Sequence, residues 1–321
     1  MTVVSYCVVP MDRTRRELLR WTSLSLAAAW PSARLLGQAP APAGQAPAAQ
    51  GPPPTPQTSF ADVRLNVGIF NGQGGTIGTY VGKDAVVVVD TQFPATAQIC
   101  VDGLKTKAGG RAVDLVIDTH FHGDHTGGNG VFKAAGATSI VAHAKVPELM
   151  KSRATPNGPA PTLPDATFPD TWRKDLGDDV VSAKFYGPGH TGGDIVVLFE
   201  RANVVHMGDL VFNRRQPFID RPGGASIQGW ITLLEQVGKA HGNDTIFVFG
   251  HAGDGFKVTG GKADLTHMRN FLTALLDFTR KAKQGGQTRE AFMKVTTPVP
   301  GFDDYGPLVE RVTTAAWDEL Q

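Results

Sequence analysis

The chain has 321 residues, 41% of them hydrophobic and 19% charged, a profile that fits a globular protein with one substantial core. Lys and Arg number 31 against 30 Asp and Glu, a formal charge of +1, and no basic stretch falls in the region that reads as folded, which excludes a nucleic-acid partner. Cys7 and Cys100 are the only cysteines, too few for a Cys-rich metal knuckle, and Cys7 lies in a segment that reads as removable, so no internal disulfide is expected.

Residues 11–20, MDRTRRELLR, run into WTSLSLAAAW, an apolar stretch of the length found in signal-peptide cores and too short to span a bilayer. Arg15 and Arg16, followed by Glu17, Leu18 and Leu19, resemble a twin-arginine export signal, with a basic leader of the general secretory type as the alternative. Residues 1–37 are therefore expected to be an export signal, with Met11 as the true start, and the processed protein to be periplasmic or secreted without a stable membrane anchor. Residues 38–58 are almost entirely Ala, Pro, Gly and Gln and bury too little apolar surface to offset the entropy of ordering them, so they read as a disordered linker. Without residues 1–58 the chain keeps 26 basic and 28 acidic residues, a charge of −2.

From residue 61 onward apolar runs alternate with helical patterns. Val63, Leu65, Val67 and Ile69 alternate at period two, and after a glycine-rich turn residues 85–90 form a buried-type run, so the two together open a β-sheet. Further strand-like runs cover residues 113–118, 139–142, 183–186, 195–199, 203–206 and 245–249. Ile227, Trp230, Leu234 and Val237 share one helical face, as do Leu265, Met268, Leu272 and Leu275, and both stripes read as core. The tail continues as helices broken at Gly285, Gly286 and residues 298–300. The expected organisation is a catalytic domain over 59–255 and a helical extension over 256–321 packed on it.

The chemistry concentrates in a few places. Thr119-His120-Phe121-His122-Gly123-Asp124-His125 follows the apolar run 113–118, and in extended backbone residues i and i+2 face one side, so His120 and His122 can present two imidazoles to one cation. Asp124 and His125 turn beyond the glycine toward a second position. His190 in Gly-Pro-Gly-His-Thr-Gly-Gly-Asp, Asp209 in Met-Gly-Asp and His251 in Phe-Gly-His each follow an apolar run and sit beside Gly, where strands give way to loops and sites on sheets are assembled. His143, His206, His241 and His267 have no partner at ligand spacing and read as structural or surface residues, and Cys100 as a small buried apolar side chain.

The ordered set HFHGDH, GHTGGD, GD and GH resembles the metallo-β-lactamase superfamily over about residues 61–255. The resemblance implies an α/β fold of the αββα kind, two mixed sheets face to face with helices outside and the metal site at one edge. It implies that His120, His122 and His190 hold a first metal, that Asp124, His125 and His251 hold a second, and that Asp209 bridges them. Two Zn²⁺ suit such ligands, with Fe or Mn possible in the same places. A bridging hydroxide, oriented by Asp124, is the implied nucleophile. Asp90, Asp118 and Asp194 are candidates to accept from the far ring nitrogens of the histidines, or else to be turn and strand-end residues.

Within the superfamily an Asp at the bridging position resembles thioesterases and lactonases of the glyoxalase-II-like type more than zinc β-lactamases. The expected activity is hydrolysis of an ester, thioester, lactone or amide bond in a small substrate, with β-lactam hydrolysis and mononuclear-iron persulfide oxidation as alternatives. Arg214 and Arg215, shortly after Asp209, are candidates to anchor a substrate carboxylate, against a plainer reading as solvated surface residues. Oligomeric state leaves no mark in the residues.

Overall fold

The computed structural model describes residues 56–321 apart from Asn157, so the export-signal reading and most of the linker reading fall outside the described residues. The first half builds a seven-stranded sheet. Strands β1 (Ser59–Arg64), β2 (Val67–Asn71), β3 (Ile77–Val81) and β4 (Val86–Val89) pair antiparallel. After helix α1 (Pro94–Lys107), β5 (Leu115–Ile117) joins β4 in parallel, and past α2 (Gly123–Thr126) and α3 (Asn129–Ala134), β6 (Ser139–His143) joins β5. Helix α4 (Val146–Ser152) leads to β7 (Ala166–Phe168), which completes the sheet. The period-two reading through Val63, Leu65, Val67 and Ile69 spans a hairpin rather than one strand: Leu65 adopts φ 52° in the turn and is 74% exposed. Facing pairs such as Arg64 and Val67 share a face, so the two-residue turn alone would break the alternation; a register shift between Asp62 and Arg64 brings Val63 back to the face of Val67 and Ile69, while Leu65 is left in the turn.

The second half forms a six-stranded sheet in the order β15-β13-β11-β10-β9-β8. It comprises β8 (Thr171–Asp175), β9 (Val180–Phe185), β10 (Ile195–Phe199) and β11 (Val204–His206), and, after a short parallel pair of β12 (Phe212–Asn213) with β14 (His251–Ala252), the strands β13 (Ile246–Val248) and β15 (Thr259–Gly260). Helix α5 (Ile227–Ala240) lies between β12 and β13 in the chain, and α6 (Lys262–Gln284), α7 (Arg289–Met293) and α8 (Glu310–Glu319) follow β15. The pairing of β15 with β13 carries the sheet past residue 255.

The layers follow from alternation along the strands. Val87 and Val89 of β4 and Leu115 and Ile117 of β5 face the second sheet and pack with Val181, Ile195, Val197 and Val204. Val86, Val88 and Val116 face the other way, onto Cys100 and Leu104 of α1 and Phe132 of α3. On the far side, Val196, Val205 and Phe247 meet the stripes of α5 and α6, including Trp230, Leu234, Met268 and Leu272, and Val312 and Ala316 of α8. Central strands apolar on both faces are what parallel pairing covered by helices requires. The result is an αββα sandwich with two mixed sheets.

Candidate metal centre

The parallel strands β4 and β5 of one sheet and β11 and β13 of the other end at the same edge. Asp90, residues 118–125, Asp209 and His251 follow those ends directly, so short loops deliver donors from both sheets to one place. His190 comes from the β9–β10 loop. Two groups of donor atoms converge there, each within 4.8 Å: His120, His122, His190 and Asp209, and Asp124, His125, His251 and Asp209.

In the first group His120 Nε2 lies 3.1 Å and His190 Nε2 2.9 Å from His122 Nδ1. Each ring turns its other nitrogen to a fixed partner. His120 Nδ1 is 3.0 Å from Thr119 Oγ1, His122 Nε2 is 2.9 Å from Asp220 Oδ2, and His190 Nδ1 is 2.5 Å from the Phe218 carbonyl. Since the Asp220 carboxylate and the Phe218 carbonyl can only accept, those rings donate outward and turn their other nitrogens toward one another across the site. Burial, assisted by neighbouring imidazoles, pushes His120 well down and His190 to about 3, so both rings stay neutral and carry free lone pairs.

The second group is richer in charge. Asp124 Oδ2 is 3.1 Å from His251 Nε2, and Asp209 Oδ1 lies 3.1 Å from His125 Nε2 and 3.4 Å from His251 Nε2. Burial opposes protonation of His251, but Asp209 and Asp124 outweigh it and raise the imidazole to about 9; Asp209 and Asp90 likewise raise His125 well above its usual range. Burial also opposes the charge of Asp209, and His251 and His125 overcome it, holding that carboxyl well below the usual range. Asp209 Oδ2 points the other way, 3.5 Å from His190 Nε2, so one carboxylate addresses both groups.

These residues fit divalent cations. His125 Nε2 and Asp209 Oδ1 are buried and close, yet neither is satisfied by a well-aligned hydrogen bond. His120 and His190, both neutral, turn lone pairs toward His122 Nδ1, an arrangement of ring nitrogens that a cation between them would satisfy, and imidazole with carboxylate suits Zn²⁺, Fe or Mn. Backbone has been kept thin where the rings pack: a Cβ on Gly75 would stand 2.1 Å from the His125 ring, and one on Gly250 2.0 Å from Asp209 Oδ1.

The three supporting acids part company. Asp90, in the left-handed region at φ 68° and fully buried, accepts from Thr119 N at 2.7 Å and Thr119 Oγ1 at 2.9 Å, and its Oδ2 lies 2.7 Å from His125 Nδ1. It therefore holds His125 directly and His120 through Thr119. Asp118 touches no ring: it accepts from Asn129 Nδ2 at 2.8 Å, and burial pushes its pKa well up. Asp194 closes the Gly-His-Thr-Gly-Gly-Asp turn by accepting from Thr191 N at 2.7 Å and Thr191 Oγ1 at 2.9 Å, and burial raises it to about 6. Asp220, which orients His122, escaped the sequence reading because it is 98 residues away in the chain and sits in no ligand-like motif. Its other oxygen accepts from Arg153 at 2.7 Å and Gly223 N at 3.0 Å.

A cavity of about 370 Å³ opens before the donors, lined by His122, Asp124, Asp209 and His251 together with Phe93, Phe212, Arg215, Gln216, Phe218 and Arg311. Of the two arginines singled out in the sequence, only Arg215 reaches it. Arg214 instead pairs with Asp264 at 2.6 Å and Asp304 at 3.3 Å, away from the cavity lining. The other histidines have their own partners: His143 and His206 lie within hydrogen-bond distance of the Pro169 and Thr76 carbonyls, His267 pairs with Asp304, and His241 packs edge-on against Phe247.

Residues 72–253 match the model of the metallo-β-lactamase superfamily, more than half of the chain, and the chain belongs to that superfamily. It is 28% identical over 195 residues to a type 2 metallo-β-lactamase of Bacillus cereus, covering 59% of this chain and 72% of that protein. It is 26% identical over 191 residues to a probable metallo-hydrolase of Methanocaldococcus jannaschii, covering 55% and 88%. Among solved structures, a metallo-β-lactamase from Pontibacter korlensis superimposes with a TM-score of 0.59 at 18% identity, over 68% of this chain and 99% of the other.

Proposed function

We propose that this protein is a hydrolase that uses two metal ions to cleave an ester, thioester, lactone or amide bond of a small substrate. His120, His122 and His190 would hold one cation, Asp124, His125 and His251 the other, and Asp209 would serve both. The carrying observation is the placement of Asp209, whose two oxygens address the two donor groups at 3.1 Å and 3.5 Å. Cations held there would supply Lewis acidity, lowering the pKa of water toward neutrality and polarising a scissile carbonyl; the donors suit Zn²⁺ and would also accept Fe or Mn.

The chain's own groups do the rest. Asp124 spends Oδ2 on His251 and keeps Oδ1 free of protein partners among the described residues, so it can orient a water at the cavity wall and take its proton. Phe93 and Phe218 flank the opening with apolar surface, and Arg215 offers a cation to an anionic part of the substrate. We read residues 1–37 as the signal that exports this domain, which lysine at both Arg15 and Arg16 should block if the twin-arginine route carries it.

Turnover of a lactone, a glutathione thioester and a chromogenic cephalosporin, each with and without chelator, tests the assignment. The bridging-Asp reading expects metal-dependent turnover of the lactone or thioester with little on the cephalosporin. A second reading, β-lactam hydrolysis, is favoured by the names of relatives such as the Bacillus cereus enzyme, and preferential turnover of the cephalosporin would establish it instead. Silence on all three, with one iron per chain and oxygen uptake on a persulfide, would replace hydrolysis with oxidation.

A further inference from the structure

The cavity before the metal centre has one wall that the superfamily match does not reach. Arg311 stands in the first turn of α8, well beyond residues 72–253, and faces the same space as Arg215. No other arginine or lysine lines that cavity. Both side chains belong to exposed residues, and neither has an ion-pair partner among the described residues.

Their neighbours behave differently. Arg214 pairs with Asp264 and Asp304, Arg221 with Glu319, Arg153 with Asp220, and Arg289 with Asp318. The acids that pair with those neighbours are thus engaged, whereas Arg215 and Arg311 form no ion pair among the described residues, Arg311 not even with the adjacent Glu310. Arg311 also sits where the helix dipole disfavours a cation, so its own helix does not account for it. It borders a second groove of about 650 Å³ as well, lined by the apolar Ile219, Pro222, Met293 and Ala315 together with the acids Glu310 and Asp318.

We propose that Arg215 and Arg311 together bind a carboxylate of the substrate, so that the C-terminal helices complete the active site and set its preference for anionic substrates. Planar guanidinium groups match a carboxylate through paired charge-assisted hydrogen bonds. Arg311 acts on specificity and does not touch the reacting atoms. This inference rests on the hydrolase reading and names its substrate class.

The zinc-loaded full chain is assayed on two esters with one leaving group, 4-nitrophenyl hydrogen succinate and 4-nitrophenyl butyrate. Arg311→Ala should raise KM for the succinate ester about tenfold with little change in kcat and leave the butyrate ester unaffected, while Arg311→Lys recovers part of the loss. Replacing both arginines with Ala should abolish the preference. Equal effects on the two esters, or none on the succinate ester, would overturn the proposal. Calorimetric titration of succinate into the same proteins separates this idea from the reading beneath it. If neither ester is cleaved, ester hydrolysis fails, but about tenfold weaker succinate binding by Arg311→Ala still upholds the clamp. Binding that is unchanged in the variant, or undetectable in the parent, overturns it.

Discussion

The two donor groups share Asp209 and differ in almost everything else. The first is three imidazoles, two of them wholly buried, with ring nitrogens turned inward and each ring fixed from behind by a hydroxyl, a carboxylate or a carbonyl. The second mixes two imidazoles with Asp124, whose side chain is 29% exposed, and its histidines are drawn toward the protonated form by the carboxylates around them. One is a set of imidazoles, two of them buried and neutral; the other carries a partly exposed carboxylate and histidines drawn toward charge, and both open on the same cavity. Asp90 supports both sides, through Thr119 to His120 and directly to His125, whereas Asp220 supports only His122.

Removing the shared carboxylate should erase the distinction. Asp209→Ala is expected to cut metal content to below one equivalent and turnover by on the order of a thousandfold, beyond the 10–100-fold typical of an outer partner. Elemental analysis beside steady-state kinetics checks this, and two retained equivalents would mean that Asp209 bridges nothing. Chelation of the parent chain should give the same loss and lower the melting temperature, because cations bind only the folded chain, and added zinc should restore both.

Single-ligand variants sharpen the contrast. His190→Ala and His251→Ala should each lose about one equivalent, on the order of a hundredfold in affinity, but from opposite groups, so cobalt loading should give two different absorption spectra. Identical spectra would show that the groups are not independent sites.

The smallest effects probe the supports. Asp90→Asn should weaken both equivalents, and Asp220→Asn only one, each by about tenfold. Arg153→Ala, whose side chain is 47% exposed, should follow Asp220→Asn with a change of about two- to threefold. Competition with a chromogenic chelator reads all three. Loss of both equivalents in Asp220→Asn would contradict its contact with His122 alone.

Much of the candidate donor set was legible because side chains that follow strands on short loops stay within local motifs: His120, His122, Asp124 and His125 lie in six consecutive residues, and His190, Asp209 and His251 each sit beside the glycine that close packing demands. The two-sheet sandwich was legible through the same resemblance, and the valines of β4 show why, being buried on both faces. The hairpin at Leu65 was not, since period two runs unbroken through a tight turn. Nor were Asp220, the diversion of Arg214 to Asp264 and Asp304, and the arrival of Arg311 at the cavity. Residue type and spacing by themselves determined which side chains can donate to a cation; which acid backs which ring, and which arginine is left free, depends on contacts between segments some 50 to 100 residues apart, and only packing of the whole chain decides those.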